Sequence, residues 1–187
     1  MLSIQAMMPE SQPIAKPLGA ERYRVELTGK FDPGWAGCFS TNLAARKINI
    51  LRVEAARKMG RNWHATIDLD FRSTVTRPDQ LDFHALCTTA GTHMTADRLV
   101  LTDYQLERSG KHDGSLYLEA VGPDRIGCLS SLLNRFSLFS LFPIEMLVET
   151  QGKQIFDRFW LKGLGGSLPS EEATAALQGK IREALAG

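Results

Sequence analysis

SLYLEAVGPDRIGCLSSLLNRF, residues 115–136, decides the fold because its apolar period changes partway along. Leu116, Leu118 and Ala120 alternate, as one face of a half-buried strand does. Cys128, Leu132, Phe136 and Phe139 then recur at helical spacing. Between the two periods lies GPDRIGC (122–128), with two glycines and a charged pair. Taken alone, this corner reads as an anion-cradling loop, a catalytic turn or the β–α corner of a small domain.

A second copy decides among these. The stretch 22–50, RYRVELTGKFDPGWAGCFSTNLAARKINI, lies over 115–144 at an offset of 93, with Gly34 on Gly127, Gly29 on Gly122, Leu43 on Phe136 and Ile48 on Leu141. Downstream, GRNWHATIDLDF (60–71) falls on GKQIFDRFWLKG (152–163) at an offset of 92. Neither corner carries the Lys and Ser/Thr of a nucleotide loop. The corner is a fold-defining β–α turn, with Asp124 as a helix cap, Gly127 placed for close approach, and free helix amides able to meet a small carboxylate.

Each copy then gives two strands around a glycine turn: roughly 48–58 and 62–72 around Gly60, and 143–150 and 153–162 around Gly152. A second helix follows in each, at 78–87 and, with Ala173, Leu177, Ile181 and Leu185 in one stripe, at 169–185. Residues 98–107, RLVLTDYQLE, supply a fourth strand for the first unit. The second unit lacks one: either MLSIQAM (1–7) pairs with its edge, or a subunit partner covers a three-stranded sheet. The reading is α+β, two ferredoxin-like βαββαβ units with antiparallel sheets and helices on one face. Its boundaries are an N-terminal extension (1–20), a first domain (21–107), a polar linker (108–113) and a second domain (114–187).

Bulk composition excludes several classes. A formal charge of +1, from 22 basic and 21 acidic residues, gives no general footprint for a nucleic acid. Three unclustered cysteines point to a reducing, cytoplasmic setting, and no apolar run is long enough for a membrane span. His64, His84, His93 and His112 form no metal-ligand spacing, and no serine elbow is present, so no metal, cofactor or catalysis is expected. Asp68 and Asp70 share a strand face, which a solvated surface explains without acid–base work. KMGRNWH (58–64) mixes base with aromatic and reads as a solvated hairpin turn. On the second hairpin Ile155, Phe159 and Leu161 take one face and Phe156 and Trp160 the other. The latter pair belongs either to packing within the chain or to a domain or subunit contact.

LYLEAVGPDRIGCLSSLLNRF, GKQIFDRFWLKG and LPSEEATAALQGKIREAL together resemble an ACT domain. The pattern is nearest to the ACT repeats of the bacterial PII uridylyltransferase, and the two-copy layout is similar to the glycine cleavage system regulator. Asp124, Arg125 and Gly127 meet the family's corner, with Ile126 where proline is usual; Gly152, Asp157 and Phe159 meet its hairpin. In the first half Pro33, Gly34, Leu43, Ala44, Ile48, Asn49 and Ile50 fit, while Phe31 stands at the corner aspartate, with Asp32 one place later, and Ala65 at the hairpin one. The resemblance implies a regulatory module that binds an amino acid where two domains meet, through Asp32, Gly34, Asn49, Asp124, Arg125 and Gly127. It also implies a homodimer with Phe156 and Trp160 at a contact, and a regulated enzyme or transcription factor as target, without direct nucleic-acid or membrane binding. The alternative is a ligand-free oligomerisation or protein-interaction module.

Overall fold

The computed structural model describes residues 13–91 and 99–185. The elements are β1 (Lys16–Gly19), β2 (Arg22–Lys30), α1 (Trp35–Ala45), β3 (Asn49–Arg57), β4 (Asn62–Asp70), α2 (Phe83–Thr88), β5 (Asp103–Arg108), β6 (Leu116–Pro123), α3 (Cys128–Leu138), β7 (Leu141–Gln151), β8 (Gln154–Gly163) and α4 (Glu171–Leu185). The alternations become strands whose one face is sealed: Val25 and Leu27, then Ala65, Ile67 and Leu69, then Leu116, Leu118 and Ala120 are all essentially buried. Gly60 and Gly152 sit in the two hairpin turns at φ 66° and 64°. The helix expected over 78–87 splits into a single 3-10 turn at Pro78–Gln80 and α2, because the Asp82 carboxylate accepts from the Ala85 amide at 2.9 Å and restarts the helix there.

All eight strands form one antiparallel sheet in the order β1-β2-β4-β3-β7-β8-β6-β5. The two halves meet side by side where β3 pairs with β7, from Arg52 opposite Glu149 to Ala56 opposite Glu145. On one face of the sheet α1 packs on α2 and, across the seam, on α3, and α3 packs on α4. One continuous core runs under both halves, with Val53, Ala55, Met146 and Val148 bridging the seam. The architecture is α+β, and at a coarse level each half repeats a ferredoxin-like sheet with its helices on one face. Among the described residues no helix is long and apolar enough to cross a membrane.

Two strand assignments are corrected. Residues 103–108 do not complete the first half; they pair with β6, from Asp103 opposite Val121 to Arg108 opposite Leu116. The fourth strand of the second half is therefore β5, and neither an N-terminal strand nor a subunit partner is needed there; MLSIQAM lies outside the described residues. The first half takes β1 instead. A two-residue turn with Ala20 and Glu21 both left-handed folds β1 onto β2 and occupies that edge. Short closures cost little entropy, so each edge is filled by its nearest neighbour in sequence.

Burial fixes the approach to β5. Leu99 and Leu101 enter the core, and the Leu101 amide donates to the Ala184 carbonyl of α4 at 3.1 Å. This segment lies so close to β6 that a Cβ on Gly122 would stand 2.6 Å from the Val100 carbonyl oxygen.

Candidate functional site

The β6–α3 corner is built on Gly127, which caps α3 at φ 90°, a left-handed conformation costly for any residue with a Cβ. The expected close approach is absent, since an added Cβ would make only ordinary contacts, 3.8 Å to Ala44 Cβ and 3.9 Å to Ser130 Oγ. The glycine is required by its backbone angle. Gly127→Ala is therefore expected to cost about 1–2 kcal/mol in urea unfolding without changing the far-UV spectrum.

Asp124 is also corrected: it does not cap α3, which has no side-chain cap. Its carboxylate turns across the seam and accepts from Asn49 Nδ2 at 3.0 Å, while its amide donates to the Lys153 carbonyl at 2.8 Å. One half of the chain thus holds the corner of the other. Behind this bond lies a small cavity between the halves, lined by Ser40, Ile50, Cys128 and Asp157 as well as Asn49, Asp124, Arg125 and Gly127. The centre of a water molecule has about 20 Å³ there, room for roughly one water.

Asp157 gives the cavity its chemistry. It faces inward from β8 in register with Ile155, Phe159 and Leu161, is 1% exposed, and neither carboxyl oxygen has a hydrogen-bond partner. Burial, reinforced by the Asp124 charge, pushes its pKa up to about 8; the nearby Glu149 amide offsets part of this without reaching hydrogen-bonding geometry. Burial likewise raises the Asp124 carboxyl, against the Asn49 hydrogen bond, and lifts the Cys128 thiol to about 12. The cavity thus has two raised carboxyls, with Arg125 the one cationic side chain among the described residues lining it. Asp157 escaped the site residues read from sequence, although its place on the apolar side of an alternating strand was a signal that it is buried.

The repeat generates a second cavity. Shifting Ser40, Ala44, Asn49 and Ile50 by 93 gives Leu133, Ser137, Phe142 and Pro143, and these four line an open cleft of about 240 Å³ with Pro33 and Gly34. Phe31 and Ala65, the counterparts of Asp124 and Asp157, do not line it, and among the described residues no carboxylate does. Of the six residues expected to bind ligand, Asn49, Asp124, Arg125 and Gly127 converge at the polar cavity. Gly34 lies at its counterpart, and Asp32 is exposed and lines neither.

The remaining candidates are accounted for locally. Asp68 is held by Arg24 in a two-point contact of 2.7 and 2.8 Å, and Arg72 holds the Asp70 carboxyl below the usual range. His64 is exposed, His84 stacks on Phe31 at 5.6 Å, and His112 meets Glu145 at 2.7 Å; His93 lies outside the described residues. The thiol of Cys87 is pushed up to about 12 by burial. Among the described residues no three His, Cys, Asp or Glu side chains are grouped as a metal ion requires. Phe156 and Trp160 lie half-buried on the helix-free sheet face, where Trp160 meets Tyr117 at 5.2 Å and the Lys111 ammonium at 3.9 Å.

No protein-family model matches the chain, and no curated protein matches it in sequence. Among solved structures it is similar to one described as the crystal structure of an unknown protein from Galdieria sulphuraria. That likeness has 15% identity over 87% of this chain and 92% of that one, with a TM-score of 0.31.

Proposed function

We propose that the chain is a regulatory module of the tandem ACT kind, without catalysis of its own, that binds a small amine-bearing metabolite, in the first instance an amino acid, at the polar cavity of the seam. The observation that carries this is Asp157, a buried carboxyl with no partner, beside a carboxylate that ties the two halves together. Unpaired buried polar groups are rare and call for an explanation. An ammonium group supplies the missing donors and positive charge, while the ligand's carboxylate takes the free amides at the start of α3. The cavity has room for only about one water, so the ligand enters by displacing the Asn49–Asp124 bond. That coupling gives ligand binding a mechanical output to a regulated enzyme or transcription factor.

The test is a thermal-shift panel of the common amino acids on the full chain. At least one is expected to raise the melting temperature by linkage, and the shift should vanish in Asp157→Asn. A flat panel at millimolar concentrations overturns ligand binding. It would leave the ligand-free assembly module, the reading favoured by the tightness of the cavity.

A further inference from the structure

Lys162 is the most deeply buried cation of the chain's described residues, 7% exposed near the end of β8. Its Nζ donates to the Asp113 backbone carbonyl at 2.8 Å, and among the described residues no carboxylate stands within salt-bridge distance of it. An uncompensated buried charge is costly unless a counter-charge arrives from elsewhere. It lines a cavity of about 270 Å³ with Arg57 and Lys58 from the β3–β4 turn and His112 from the β5–β6 loop. Asp113 also lines this cavity and its carboxylate makes no ion pair among the described residues, while Glu145 is taken by Lys111 and His112 at 2.7 Å each.

A second cavity of about 630 Å³ continues from the first. It shares Arg57 and Lys58, adds Arg61, and has an apolar wall of Phe31, Pro33 and Phe142. Among the described residues Arg57, Lys58 and Arg61 make no ion pair, although the chain as a whole carries a charge of only +1. The loop Gly163–Gly166 forms the other side, and its Gly166 lies so near Arg57 that a Cβ there would be 3.3 Å from Nη2. This is the end of the seam away from Asp124, since Arg57 ends β3 and Asn49 begins it.

We infer that these joined cavities bind a small phosphorylated ligand with an apolar or aromatic group. The phosphate sits among Lys162, Arg57 and Lys58, and the remainder lies along Phe31, Pro33 and Phe142. A phosphate dianion fits because it accepts from a guanidinium fork and from ammonium groups at once. The inference is independent of the amine site, which is acidic and at the opposite end.

The test is calorimetric titration of the full chain with ADP and with inorganic pyrophosphate, using adenosine and ionic-strength-matched sodium chloride as controls. Saturable binding of ADP or pyrophosphate is expected, with adenosine silent. The double variant Arg57→Gln, Lys58→Gln should weaken it at least about tenfold. Both side chains are exposed, so this variant is expected to fold; Lys162→Met is the buried counterpart. The same double variant should leave any amino-acid thermal shift unchanged, which separates this inference from the preceding one. Silence from both phosphates, equal heats from sodium chloride, or undiminished binding in the double variant overturns it. So does binding of a single-stranded oligonucleotide while ADP and pyrophosphate are silent, which would assign the basic turn to nucleic acid.

Discussion

Asp157→Asn should gain stability over the parent as pH rises, by on the order of 4 kcal/mol between about pH 5 and about pH 8.5. The folded carboxyl titrates near 8 against an unfolded value near ~3.9. Between those limits the native state holds more protons than the unfolded chain, so stability falls as pH rises and the loss is complete above the folded pKa. Asparagine keeps the shape and does not ionise, so it removes that slope. Asp124 faces the same cavity and has a raised carboxyl, so it adds to the slope with the same sign. Asp70 acts oppositely, because Arg72 depresses it and its contribution disappears only in acid. Urea unfolding of both proteins across this range isolates Asp157 together with its coupling to Asp124, since the remaining groups cancel in the difference. An Asp157→Asn variant that is uniformly destabilised would show that the carboxyl has a hydrogen-bonding role.

Gly122→Ala is expected to be the most damaging single methyl group at either corner. Its Cβ would meet backbone, the Val100 carbonyl at 2.6 Å and Leu101 Cα at 3.3 Å, and neither atom can rotate away. Relief requires the 99–102 segment to lift, which withdraws Leu99 and Leu101 from the core and loosens β5. A loss of roughly 3 kcal/mol is expected, with early hydrogen exchange at β5 and the outer side of β6. Gly34→Ala is the control: its φ is −88° and an added Cβ meets open space, so stability should change by less than about 0.5 kcal/mol. Equal losses in the two variants would sink the packing argument.

Much of this was legible because burial imposes periods. The alternation from Trp63 to Phe71 and the α4 stripe as far as Ile181 follow from which face of each element meets the core, whereas Leu185, read into the same stripe, is exposed. The glycines at 60 and 152 likewise marked both hairpins. Strand partnership was not legible, since an alternating run such as Asp103–Arg108 carries no mark of which edge it joins. Its neighbour was decided by the buried Leu99 and Leu101 and by the bare backbone of Gly122, features that matter only once the chain is folded. The site was half legible. The corner residues could be found by repetition, but the bond from Asn49 to Asp124 spans 75 residues and depends on the two halves of the sheet meeting at β3 and β7. The counterpart cleft shows the same limit: duplication places two cavities, and among the described residues only one of them is lined by carboxyl groups.

The assignment of β5 to β6 has a consequence for how the molecule comes into being. Each four-stranded half is drawn from one uninterrupted stretch of chain, with its edge strand first. As synthesis proceeds from the N-terminus, β1, β2, β3 and β4 are all available before any strand of the second half leaves the ribosome. The first sheet therefore closes on local contacts, and its β3 edge waits as a template. The β3–β7 pairing, with α1 packing on α3 beside it, is the step that joins the halves, and until it forms the β3 edge is open to pairing with the wrong molecule.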